Sequence, residues 1–100
     1  MNPRLFINVD PRILHLPTTR LSGADPMKLN RQIAQFGYNV TGMPPLEVHR
    51  GLDGLLQIFD GVTRATRVAK LLPGQTVNVE IVDDLPRRVG RCPTIGDVLP

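Results

Sequence analysis

The chain has no tryptophan, one tyrosine and three phenylalanines in 100 residues. A platform that stacks single-stranded bases on exposed rings is not expected from so few aromatics. A lone cysteine, Cys92, excludes an internal disulfide. With two histidines beside it, no Cys/His cluster has the spacing of zinc ligands. No apolar run is long enough to span a bilayer, so a membrane partner is not expected. The run from Leu5 to Val9 is closed by Asp10-Pro11 and is too short for the apolar core of a signal peptide. A cytoplasmic location is the expectation from these absences.

What is present is ordinary for one small globular domain. Hydrophobic residues make up 41% and charged residues 21%, enough for a single core. The formal net charge of +3 tilts mildly toward anionic partners, and part of it comes from Arg87, Arg88 and Arg91 near the C-terminus.

Leu5 to Val9 reads as a first strand, and Arg12 to Leu21 as a short strand or extended connection in which Leu14, His15 and Leu16 alternate. His15 falls on the solvent side of that alternation. Asp25-Pro26 is a helix start, with Asp25 at the N-cap and Pro26 in the first turn. Leu29, Ile33 and Phe36 then share one helix face, and Gly37 stops the helix. Gly42-Met43-Pro44-Pro45 is a rigid link to a strand at Leu46 to His49. Gly51-Leu52-Asp53-Gly54 is a turn into a partner strand at Leu55 to Phe59. A second helix is predicted from about Thr63 to Leu72, with Ala65, Val68, Ala69 and Leu72 inward. Val77, Val79 and Ile81 alternate as the inner face of a last strand. The expected fold class is α+β: a small mixed or antiparallel sheet with two principal helices. Residues 1–83 form the domain, and 84–100 a Pro/Gly/Arg-rich tail that is partly ordered or binds a partner.

The stretch that carries chemistry is Asp60-Gly61-Val62-Thr63-Arg64-Ala65-Thr66-Arg67. A glycine joins an apolar strand to a helix. Such a turn leaves unpaired N–H groups at the positive end of a helix dipole, a ready anion site. The candidate phosphate ligands are Gly61, Val62, Thr63, Arg64 and Arg67: backbone amides after Gly61, the Thr63 hydroxyl, and the two guanidiniums. Thr63, Arg67 and Lys70 fall on one helix face, opposite the apolar stripe. The alternative is a Thr cap followed by a solvated basic face, since short glycine motifs are unspecific.

Three side chains are candidate catalytic groups. Asp60 ends a strand just before the glycine, where a carboxylate can accept a proton or hold a metal. Glu47 and His49 share one face of the neighbouring strand, opposite Leu46 and Val48. Together the three would make an oxygen-and-imidazole metal site for a nuclease. The alternatives are an Asx turn or an ion pair to Arg64 for Asp60, and a solvated sheet face for Glu47 and His49. Cys92 beside Arg91 is read as an ordinary cysteine of the tail.

The order of elements resembles the ParB/sulfiredoxin-like superfamily from about Leu14 to Val82. Gly42 to Val48 is similar to the lead-in of the first hairpin strand in ParB domains, and Asp60 to Ala69 to the superfamily's phosphate box. The stretches Arg20 to Pro26, Gly42 to Val48 and Gly61 to Val77 look most like ParB-like domains of Rhs-type polymorphic toxins and their stand-alone relatives. Activities in the superfamily include CTP binding and hydrolysis, nuclease action, ATP-dependent reduction of oxidised cysteine, and a free-serine kinase. Their common denominator is phosphate at the glycine turn. Val62 stands where sulfiredoxins carry the reactive cysteine, so that chemistry is not expected. Thr63 stands where segregation proteins have the first of two arginines, and no helix-turn-helix follows, so a segregation role is not expected.

The resemblance implies that Arg20, in the segment before the first helix, also reaches the phosphate. It implies a nucleotide or nucleic-acid partner, and a nuclease-type or nucleotide-hydrolysing effector domain as the leading function. A non-enzymatic DNA- or nucleotide-binding module and a small-molecule phosphotransferase are the alternatives. A divalent cation such as Mg would accompany a nucleotide. An immunity or parent protein is a further partner class, and delivery within a secreted toxin would override the cytoplasmic expectation.

Overall fold

The computed structural model of the chain describes residues 4–99. Residues 1–3 and 100, the first of the expected domain and the last of the expected tail, lie outside the described residues. Four strands, β1 (Leu5–Val9), β2 (Leu46–Arg50), β3 (Leu56–Asp60) and β4 (Val77–Asp84), form one sheet in the order β1-β4-β2-β3. β2 and β4 are parallel; β1–β4 and β2–β3 are antiparallel. The helices are α1 (Pro26–Phe36), α2 (Val62–Leu71) and a single turn, α3 (Ile95–Val98). The class is therefore α+β with a mixed sheet, as the element order implied. The parallel pair arises because the β2–β3 hairpin is followed by α2, which crosses the sheet before β4 inserts beside β2.

α2 supplies the lid of the core. Its Ala65, Val68 and Ala69 are buried against Leu46, Val48 and Ile58 of the hairpin and Val77 and Val79 of β4. Each large aliphatic side chain so buried contributes roughly 1.5–3 kcal/mol. Leu72, expected on the same face, is only half-buried at the helix C-cap.

α1 starts and stops on the residues that signalled it. The Asp25 carboxylate accepts from the Met27 N–H at 2.9 Å, and the Gly37 N–H donates to the Ile33 carbonyl at 2.8 Å. Its apolar face is shallower than expected. Leu29 is buried, Ile33 half-buried, and Phe36 is 41% exposed. The cause is position: α1 packs chiefly on α2, not on the sheet.

The segment between β1 and α1 is neither a strand nor a free connection. It makes two 3-10 turns around a single bridging residue, His15. His15 accepts the Ile58 N–H and donates its own N–H to Leu56, closing the outer edge of β3. Leu14, His15 and Leu16 are all buried, so the expected solvent side of the alternation does not exist. The His15 ring sits with Nδ1 2.7 Å from the Cys92 carbonyl.

The described part of residues 84–99 lies against the rest of the chain. Val89 and Ile95 are buried. The Leu16 N–H donates to the Pro93 carbonyl and the Ile95 N–H to Leu14. Asp53, in the hairpin turn, accepts from the N–H groups of Gly90 at 2.9 Å and Val89 at 3.2 Å. Thr94 and Asp97 cap α3 reciprocally. Among the described residues no helix is long and apolar enough to cross a membrane.

Candidate functional site

β3 extends one residue beyond the expected Phe59, so Asp60 ends the strand and Gly61 is the N-cap of α2. Gly61 has φ +114° and ψ 23°. A Cβ there would stand 2.5 Å from Leu46 Cδ2, so any larger residue must displace that buried side chain as well as hold a strained φ. No side chain caps the helix, and the N–H groups of Val62, Thr63 and Arg64 have no protein partner among the described residues. Three donors and the positive end of a ten-residue helix thus face one opening.

That opening is a cleft of about 330 Å³. Its floor is Asp60, Gly61, Val62 and Thr63. One wall is Pro17, Thr19 and Arg20, and the other is Lys28 and Gln32 of α1 with Arg64 of α2. Three cations, Arg20, Lys28 and Arg64, meet one carboxylate, Asp60. Arg20 and Lys28 are exposed and make no ion pair among the described residues. Arg64 is more constrained. Its Nη1 donates to the Pro44 carbonyl at 3.0 Å and its Nη2 lies 3.4 Å from Asp60 Oδ2.

Arg67 is elsewhere. The helical period sets it opposite the apolar stripe, yet it is 2% exposed and does not line this cleft. α1 covers that face of α2. The guanidinium lies 5.4 Å from the Phe36 ring centroid, and Nη1 donates to the Gly37 carbonyl at 2.6 Å. Its Nε has no partner, and burial lowers its pKa below the usual guanidinium range. Arg67 therefore ties the end of α1 to α2 and joins a second, smaller cleft of about 240 Å³ that shares Gln32 and Arg64 with the first. The expected solvated basic face is reduced to Thr63, half-buried, and Lys70, exposed.

The three candidate catalytic groups are only partly gathered. Glu47 stands opposite Asp60 in the β2–β3 ladder, at a register irregularity between Glu47 and Val48. His49 pairs with Gln57, and its ring packs 4.7 Å from that of Phe59. Only Asp60 of the three lines the cleft. Among the described residues no group of three His, Cys, Asp or Glu side chains is close enough to share a metal ion.

Lys28 and Gln32 were missed by motif reading. The available signal was their spacing: four residues apart on α1, they stand on one face one turn apart. Nothing local says which neighbour that face meets. No protein-family model matches the chain, and no curated protein matches it significantly.

Proposed function

We propose that this chain binds a phosphate group of a nucleotide or nucleic acid at the Gly61 turn. The observation that carries the reading is the coincidence of unpaired α2 N–H groups with Arg20, Lys28 and Arg64 around one cleft. Amides of Val62, Thr63 and Arg64 would hold the phosphate oxygens. The Thr63 hydroxyl would add a donor, and the three cations would neutralise charge. Arg20 takes the role that the ParB/sulfiredoxin-like resemblance assigns it, and Arg67 holds α1 against α2 through the Gly37 carbonyl and the Phe36 ring. The resemblance to that superfamily, and within it to toxin-type ParB-like domains, is part of the same proposal.

A nuclease-type or nucleotide-hydrolysing effector would use this cleft with Asp60 as its proton acceptor or cation ligand, since Asp60 is the carboxylate on the cleft floor. Asp60 is the residue that would hold a divalent cation there, which would supply charge neutralisation for the phosphate. Glu47 stands opposite Asp60 in the β2–β3 ladder and does not line the cleft.

The test is thermal shift with CTP, ATP, GTP and ADP, and DNA binding at low salt. Stabilisation by a nucleotide, lost in Arg64→Ala and retained in Arg88→Ala, supports the reading. No shift with any nucleotide and no DNA retention at low salt refutes it. Consumption of nucleotide or plasmid that stops in Asp60→Ala separates an enzyme from a binding module.

A further inference from the structure

A sheet has two outer edges, and in this fold they are treated differently. The edge of β3 is closed by His15, whose N–H and carbonyl meet Leu56 and Ile58, each at 2.9 Å. The edge of β1 has no such cover among the described residues. Open edges are usually guarded by a charge, a proline or a bulge within the strand. Leu5-Phe6-Ile7-Asn8-Val9 has none of these, and it pairs with β4 in unbroken register from Leu5–Ile81 to Val9–Val77.

The strand is also bare on both faces. Leu5 and Ile7 point to the core side with their partners Ile81 and Val79, yet they are 43% and 42% exposed while Val79 is fully buried. The core cluster under α2 takes in Val77 and Val79 of β4, whereas of β1 only Val9 packs against it. On the other face Phe6 is 45% exposed. Three large apolar side chains and a row of free backbone groups therefore share one edge.

We infer that this edge pairs with the same edge of a second copy of the chain, antiparallel about a twofold axis at Ile7. The strand is self-complementary in that register. Ile7 meets Ile7 of the second copy, Leu5 meets Val9, and Phe6 meets Asn8. One step further out Arg4, whose Nε lies 3.6 Å from Glu80 Oε2 of its own chain, faces Asp10, whose Oδ1 accepts the Arg12 N–H, twice by symmetry, so opposite charges stand together at both ends. Asp10 is still extended, with φ −69° and ψ 121°, so the ladder can run that far. Residues that meet are all an even number apart, so the outward backbone groups of one copy find those of the other. The result is a continuous eight-stranded sheet with the Gly61 clefts toward its far ends, because β3 is the strand most distant from β1.

A ladder of this length buries less than a standard interface, so association in the micromolar range, about 1–100 μM, is expected. Sedimentation velocity from about 1 μM to 1 mM should show a monomer–dimer transition. Ile7→Lys places like charges across the axis and should leave a monomer at every concentration, with an unchanged circular-dichroism spectrum because the site is exposed in the monomer. In a Cys92→Ser background, Ile7→Cys should form a disulfide dimer on mild oxidation, and Asn8→Cys, which faces Phe6, should form at least about tenfold less. A monomer at 1 mM overturns the inference. So does a dimer that persists in Ile7→Lys, which would lie on another surface, or equal cross-linking at the two positions, which would mean a different register.

Discussion

Arg64 turns back over the first turn of α2 onto Asp60, with Nη2 3.4 Å from Oδ2, while its other amine holds the Pro44 carbonyl. The guanidinium is thus pre-positioned at the cleft but partly engaged by the one carboxylate there. An arriving phosphate competes with Asp60 for it. Asp60→Asn should raise affinity for inorganic phosphate about two- to fivefold, the worth of an exposed ion pair of roughly 0.5–1 kcal/mol. Isothermal titration checks this. A fall in affinity would mean that Asp60 holds a cation together with the ligand.

Arg64 and Arg67 sit one turn apart in part, yet they should fail differently. Arg64→Ala should weaken phosphate binding about tenfold and cost at most about 1 kcal/mol of stability, since its ion pair is exposed. Arg67→Ala removes a buried charged hydrogen bond to Gly37 and the contact with Phe36, and should cost about 3 kcal/mol. Measured on the folded protein at low temperature, its phosphate affinity should stay within about twofold. Urea unfolding and titration on both variants separate the two roles. Equal losses of binding would put Arg67 in contact with the ligand.

Gly61 is required by space as well as by backbone conformation. Gly61→Ala would drive a methyl into Leu46 at a positive φ, and should lower stability by at least about 2 kcal/mol. For a domain of this size that is a drop of roughly 10–15 °C in Tm. A variant melting within about 3 °C of the parent would show that the turn relaxes without strain.

Asp53 makes stability depend on pH. Desolvation pushes its pKa up, but the N–H groups of Gly90, Val89 and Leu55 outweigh that and leave it below the ordinary carboxylate value. The unfolded chain binds the proton more readily, at about 3.9, so stability is full above that pH and falls as pH drops through the lowered native value. Asp84, bonded to Arg50, and Asp97, bonded to Thr94, shift the same way and add to the slope. The urea midpoint should decline from about pH 4 downward, and Asp53→Asn should be less stable at neutral pH with a shallower acid decline. An identical slope in the variant would show that Asp53 does not hold Val89 and Gly90 in solution.

Much of the fold could be read locally. Asp25-Pro26 and Gly37 bracket α1, and the alternation of Val77 and Val79 marks β4, because caps and periods act over a few residues. The Gly61 turn was legible for the same reason. Arg67 was not. A helical period says only that a residue lies off the main apolar stripe; whether another helix covers that second face is a long-range fact, and α1 covers it. His15 escaped similarly, because bridging to β3 and the packing of residues near Cys92 bury a segment whose own pattern suggested a wet side.

The sequence by itself determined the four strands, α1 with its Asp25 and Gly37 ends, α2 and the glycine turn with its unpaired amides, since these follow from backbone sterics and short-range hydrogen bonding; the two 3-10 turns and α3 were not legible in it. Arg64 is local to that turn and the resemblance implied Arg20, but only the tertiary structure brought in Lys28 and took Arg67 away. Arg20 and Lys28 reach it from 41 and 33 positions away along the chain, counted from Gly61. Only the tertiary structure decided, too, that β3 is closed by His15 while β1 lies open. Both outcomes depend on how helices and strands distant in sequence divide the surface of one sheet, and no local pattern encodes that division.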